Sequence, residues 1–182
     1  MKPHFFQKTP KLDNDLNWIA LVGNPNCGKT AIFNLLTGLN QKVSNYPGVT
    51  VEKKIGIVRS KTQSYKVLDL PGTYSLKPES FDEEIVSEQV GNWAKGESPP
   101  AIIISVVDAS NLARNLYLTS QLLDLKIPVI VALNMMDRLD DSQEINCPKL
   151  AKKLGAYAVV PISAKLNQGL DKLKLTIESV LK

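Results

Sequence analysis

The chain has little of what metal-centred or disulfide-stapled proteins are built from: 182 residues include two cysteines and one histidine. Cys27 and Cys147 stand far apart and belong to no metal-ligand spacing, so neither a disulfide framework nor a zinc site is indicated. Cys27 reads as a small residue filling a loop rather than as a nucleophile. His4 lies in an N-terminal segment with two prolines and three lysines and reads as a solvated residue, not a ligand. Long apolar runs are also missing. No stretch approaches the roughly 18 consecutive apolar residues that cross a bilayer, and residues 1–17 carry no signal-peptide core. The expectation is a soluble cytoplasmic piece. Aromatics make up 6% of the chain, and its lysines lack the aromatic interleaving of single-stranded nucleic-acid grooves, so nucleic acid is not an expected partner.

What is present is an ordinary globular composition: 43% apolar residues and a mean hydropathy of −0.08. That fits one domain, expected over 18–182 behind a tail at 1–17. The net charge of +4 is unevenly placed. Up to Lys66 there are ten Lys/Arg against three acids, Asp13, Asp15 and Glu52. A basic field of this kind suits a polyphosphate ligand or an anionic membrane surface.

The basic half contains Gly23-Asn24-Pro25-Asn26-Cys27-Gly28-Lys29-Thr30, followed by Ala31, between an apolar strand-like run (18–22) and a helix-like run (31–36). In that context the pattern predicts a phosphate-binding loop. Successive backbone N–H groups turn inward as an anion nest at a helix N-terminus, Lys29 reaches the terminal phosphates, and the Thr30 hydroxyl holds magnesium.

Apolar runs at 18–22, 66–70, 101–107, 129–133 and 157–162 read as buried strands. Segments 31–39, 81–93, 112–125, 148–154 and 170–181 place apolar residues three and four apart, as amphipathic helices do. Alternation of the two predicts an α/β fold, a mostly parallel sheet covered on both faces. Residues 52–60 lead into the next strand without a helix, so a hairpin there adds one antiparallel edge strand. The expected total is six strands and five helices, with ligands at the carboxyl ends of the strands.

Further motifs follow in order. Asp69-Leu70-Pro71-Gly72 closes a buried strand about forty residues beyond the phosphate loop, which narrows the reading to a switch GTPase. The Asp69 carboxylate holds magnesium through water, and Gly72 lets a backbone N–H approach the terminal phosphate. Asn134-Met135-Met136-Asp137 ends another strand. A carboxylate at Asp137 accepts two bonds from the guanine ring, a pattern adenine does not offer. Met135 stands where switch GTPases usually have Lys, and its side chain can cover the ring face. Ser163-Ala164-Lys165 follows the last strand and supplies a backbone N–H to the guanine oxygen. In Asn45-Tyr46-Pro47-Gly48-Val49-Thr50 the expected ligand is Thr50, whose hydroxyl completes the magnesium shell while the terminal phosphate is present. A plain surface turn at Pro47-Gly48 is compatible with the same residues.

The wording of these motifs is more specific than their presence. The phosphate loop with Phe33-Asn34, Tyr46 to Glu52, Asp69-Leu70-Pro71-Gly72-Thr73-Tyr74-Ser75-Leu76, Val107-Asp108-Ala109, Arg114-Asn115-Leu116-Tyr117-Leu118 and Asn134 to Asp137 together resemble the N-terminal G domain of the FeoB family of bacterial ferrous-iron transporters. The resemblance implies a Ras-like, magnesium-dependent GTPase of slow intrinsic rate and rather weak nucleotide binding. It implies an Asn26 that helps to bind potassium against the phosphates, which offsets transition-state charge. It also implies partners absent from this chain, a helical regulatory segment and a membrane domain, and a place on the cytoplasmic face of the inner membrane. Thr73 stands where Ras-like enzymes carry the water-orienting Gln. The resemblance implies that backbone groups of the first switch loop position the water instead. Arg59 and Arg114 read as a strand-edge and a helix-surface charge, not arginine fingers. Two alternatives stay open: a nucleotide-gated binding module with negligible hydrolysis, and a ribosome- or RNA-associated GTPase of the same fold.

Overall fold

The computed structural model describes residues 16–39, 41–46, 50–60, 63–140 and 144–182. Most of the expected tail, and Pro47, Gly48 and Val49 of the first switch loop, lie outside the described residues. Seven strands form one sheet: β1 (Trp18–Gly23), β2 (Gln41–Asn45), β3 (Glu52–Arg59), β4 (Ser64–Asp69), β5 (Ile102–Asp108), β6 (Val129–Asn134) and β7 (Ala158–Pro161). Five α-helices accompany them: α1 (Lys29–Thr37), α2 (Phe81–Ala94), α3 (Leu112–Leu123), α4 (Cys147–Leu154) and α5 (Leu170–Leu181).

The strand order is β2-β3-β4-β1-β5-β6-β7, and β4, β1, β5, β6 and β7 run parallel. The central strands β1, β5 and β6 are buried almost throughout, as strands covered on both faces must be, and their Ile/Val-rich sequences match that environment. One apolar layer joins Phe33, Leu36, Leu173 and Ile177 to the face of the sheet carrying Ile19, Leu21, Ile102 and Ile104. The other joins Ile85, Val86, Trp93, Leu118 and Leu122 to Ala20, Val22, Ile103 and Val131. Helices α1 and α5 therefore cover one face, and α2 and α3 the other.

The expected antiparallel edge is present, but it is made of two strands rather than one. Seven strands replace the expected six, because β2 pairs antiparallel with β3 from Gln41↔Gly56 to Asn45↔Glu52. All five β2 residues are exposed. A strand with no buried face has no apolar alternation to betray it, and its polar Gln-Lys-Val-Ser-Asn sequence is what an unpartnered edge carries. The five helices fall where periodicity placed them, with shifts of one or two residues at half of their ends. Local signals set those ends. Ser80 accepts from the Glu83 N–H ahead of α2, whose first turn holds Asp82, Glu83 and Glu84, matching the positive end of the helix dipole. Asn146 accepts from the Lys149 N–H, Pro148 occupies the first turn, and Gly155 ends α4 in a left-handed conformation.

Candidate functional site

The parallel strands end on one edge of the sheet, and every sequence motif but one opens from a strand end there. The loop after β1 turns into α1 through Gly28, whose φ of +85° is left-handed and costs a glycine nothing. A side chain at Gly28 would also run into the Asn134 amide, so the close approach of the two loops depends on glycine twice over. Gly23 is equally confined: a Cβ there would lie 2.7 Å from the Val106 carbonyl and 2.8 Å from Cys27 Sγ. Cys27 is buried, and that burial pushes its thiol up to about 11, so it is protonated and inert at neutral pH. It fills space, as its sequence context suggested.

Two adjoining hollows lie over this edge. One, of 430 Å³, is lined by Lys29, Thr30, Thr50, Glu52, Lys54, Asp69 and Asp82 among others. The other, of 540 Å³, is lined by Asn24, Pro25, Asn26, Gly28, Lys29, Thr30, Ala31, Gly72 and Asp82. Lys29 donates from Nζ to Asp69 Oδ1, an ion pair almost out of water. A phosphate must therefore compete with Asp69 for this lysine. Thr30, Thr50 and Asn26 are exposed on the cleft, and Asn26 takes a left-handed φ of 63°. Gly72 packs on Pro25 closely enough that a Cβ would sit 3.1 Å from the Pro25 backbone, and Thr73 N donates to the Gly23 carbonyl at 3.2 Å. The second switch segment is thus seated directly on the phosphate loop.

The base-recognition residues converge beside it. Asn134, 2% exposed, donates from Nδ2 to the Cys27 carbonyl at 3.0 Å and accepts the Ala164 N–H on Oδ1 at 3.0 Å. One amide ties the phosphate loop to both loops expected to hold guanine. Asp137 is exposed, with Oδ1 accepting from Ser163 Oγ at 2.6 Å, and that hydrogen bond holds its carboxyl below the usual aspartate range. Ser163 Oγ in turn accepts the Leu166 N–H at 3.2 Å. Met135 adopts a left-handed φ of 63°, and Lys165 is exposed. The structure therefore brings together all the expected phosphate, metal and base residues.

Two site neighbours carried no sequence signal. Lys54 and Asp82 reach the cleft only because strand register and the first turn of α2 place them there. The second switch segment has anchors of its own. Glu83 accepts from Glu79 N at 2.8 Å and Tyr74 N at 3.2 Å, and these N–H groups, that of Glu79 foremost, lower its carboxyl below the ordinary range. Arg114 stacks over Tyr74 at 4.3 Å, and Gln121 Oε1 accepts the Leu76 N–H at 2.9 Å. Arg114 is thus more than the surface charge its sequence suggested. Thr73 is buried and donates its hydroxyl to the Ser75 carbonyl at 2.6 Å.

A sequence model of the family described as "Ferrous iron transport protein B" matches residues 17–177. The chain belongs to the FeoB family. It is 47% identical over 165 residues to the "Fe(2+) transporter FeoB" of Salmonella typhimurium, covering 88% of this chain and 21% of that protein. It is 43% identical over 163 residues to the "Fe(2+) transport protein A/Fe(2+) transporter FeoB fusion protein" of Porphyromonas gingivalis, covering 89% and 19%. The chain thus spans about a fifth of the length of these curated relatives. Among solved structures, the FeoB G domain of T. maritima aligns with a TM-score of 0.80 at 39% identity, over 92% of this chain and 99% of that one. A GDP-bound mutant of S. thermophilus NFeoB aligns at 0.79 and 45% identity, over 88% and 61%. The fold is the Ras-like one of the FeoB G domains. Among the described residues no helix is long and apolar enough to cross a membrane.

Proposed function

We propose that this FeoB G domain binds GTP and hydrolyses it slowly, as the nucleotide-dependent part of a ferrous-iron transporter at the cytoplasmic face of the inner membrane. One observation carries the reading. Lys29, Thr30, Thr50 and Asp69, drawn from three separate segments, line one cleft, and the Asn134, Asp137, Ser163 and Ala164 cluster lies beside it. In the proposed complex the phosphates lie along Gly23 to Ala31, where backbone N–H groups and Lys29 receive them. The guanine lies against Asn134, Met135, Asp137 and Ser163 to Lys165. Asp137, oriented by the hydrogen bond from Ser163, accepts from the ring N–H and exocyclic amine.

The donor set of the cleft suits a hard divalent cation: two hydroxyls, Thr30 and Thr50, and the Asp69 carboxylate. Magnesium held there supplies Lewis-acid stabilisation of phosphate charge. Asn26, exposed with its amide on the neighbouring hollow, offers a carbonyl oxygen to a monovalent cation, potassium in this proposal. Gly72 leaves room for its own N–H at the terminal phosphate. Thr73 spends its hydroxyl on Ser75, so it does not orient the attacking water; first-switch backbone groups take that role in this proposal. The helical regulatory segment and membrane domain of the longer protein are the proposed partners.

The Thr73 observation also favours a second reading, a nucleotide-gated module that hydrolyses negligibly and works by presenting a shape to a partner. Steady-state GTP hydrolysis in matched potassium and sodium buffers, with ATP as control and Asn26→Ala alongside, separates the two. Potassium stimulation that is lost in the variant and absent with ATP supports the cation-assisted GTPase. Turnover indifferent to the cation, despite firm GTP binding, supports the module.

A further inference from the structure

The strand that follows the first switch loop carries a cation into the cleft that no motif predicts. In the antiparallel pairing of β3 with β4, Lys54 stands opposite Asp69. Residues directly opposite in such a pair project to the same side of the sheet. Glu52, Lys54 and Gly56 alternate onto that side, which is the side of α1: a Cβ on Gly56 would collide with Thr37 and come within 3.1 Å of Phe33. Lys54 therefore lies on the face that holds Lys29 and Thr30, and it lines the same hollow as Lys29, Thr30, Thr50 and Asp69.

The two lysines are engaged differently. Lys29 is held by Asp69 with both side chains nearly buried. Lys54 pairs with Glu52 Oε2 at 3.2 Å, with side-chain exposures of 29% and 58%. An exposed pair of this kind is weakly held, so Lys54 can exchange Glu52 for a stronger anion at little cost. A nucleoside triphosphate differs from a diphosphate in the charge it adds at the end of the chain nearest Lys29. The anion best placed to recruit Lys54 is that terminal phosphate, and Glu52 is its competitor.

Resting on the nucleotide-binding reading above, we propose that Lys54 is a second phosphate-binding cation. It leaves Glu52 for the terminal phosphate, favours triphosphate over diphosphate, and draws β3 onto the nucleotide. The ammonium acts here as a point charge, so Arg serves in its place while Met does not.

The test is equilibrium binding of fluorescent GDP and of a non-hydrolysable GTP analogue to the full chain, for the wild type, Lys54→Met, Lys54→Arg and Glu52→Gln, with thermal melting of each. The expected result for Lys54→Met is a loss of about tenfold in affinity for the GTP analogue with less than a twofold change for GDP. Lys54→Arg should restore most of that loss. Glu52→Gln, by freeing the lysine, should raise the triphosphate-to-diphosphate affinity ratio above that of the wild type. Equal losses for both nucleotides in Lys54→Met, or no loss for either, overturn the proposal while leaving the nucleotide site intact. A wild-type chain that binds neither nucleotide overturns the underlying reading as well. A purely structural role for Lys54 would lower the melting temperature and leave the ratio unmoved.

Discussion

At the residue scale the site is organised by side chains that hold one another before they hold a ligand. Lys29 and Asp69 form the most consequential of these pairs, because each neutralises the other in a nearly dry environment. Lys29→Ala should abolish GTP binding and also strand the Asp69 carboxylate, lowering stability by about 3 kcal/mol. Isothermal titration and urea denaturation check the two effects, and adding Asp69→Asn should recover most of the stability but none of the binding. Unchanged GTP affinity in Lys29→Ala would refute the site. Asp137 is set by its neighbour in the same way. Its depressed pKa means that the charged form, and whatever the Ser163 contact contributes to stability, is present above the ordinary aspartate range and is lost as pH falls through the lower folded value. In Ser163→Ala the Asp137 carboxyl should titrate at higher pH, nearer its ordinary value. A carbon-detected NMR titration reads this directly, and an unmoved Asp137 signal would show that Ser163 does not tune it.

At the scale of elements, close approach rather than propensity explains where the strands and helices sit. Gly56 interrupts an otherwise β-branched and charged strand, a residue that costs a strand packing and entropy. Its reason is α1. The helix lies so near β3 that a Cβ at Gly56 would come 2.9 Å from Thr37 Cβ and 3.1 Å from Phe33. Gly56→Ala should overpack this seam and destabilise the fold by about 1–3 kcal/mol, as a shift of the urea midpoint without a change of slope. Destabilisation below ~0.5 kcal/mol would mean that the seam has slack. The same seam sets the depth of Lys54, two residues earlier, in the nucleotide cleft. The second switch segment is an element of another kind. It has no regular structure, yet Glu83 and Ser87 fasten it to α2, and Arg114 and Gln121 fasten it to α3.

At the scale of the whole molecule one sheet separates two apolar layers, and each layer needs the sheet to exist. The central strand β5 contributes to both, with Ile102 and Ile104 facing α1 and α5, and Ile103 and Val107 facing α2 and α3. The layers should therefore melt together. Ile104→Ala, made on the α1 side, should cost about 2–5 kcal/mol. Far-ultraviolet circular dichroism and the fluorescence of Trp18 and Trp93, which pack edge to face at 5.7 Å on the opposite side, should report one coincident transition. Separate midpoints would show that the layers unfold independently.

The sequence by itself determined the α/β class, the order of the five helices and of the strands other than β2, and which segments carry the motifs, because apolar periodicity and loop chemistry are local properties of the chain. It did not disclose β2, whose five exposed residues bury nothing and so carry no pattern. Nor did it disclose Arg114 on Tyr74, the Asn134 amide that joins three loops, or the cleft-facing Lys54 and Asp82. Each of these depends on which residues from distant segments meet. That is decided by strand register and helix docking, which fix the distance between side chains far apart in sequence.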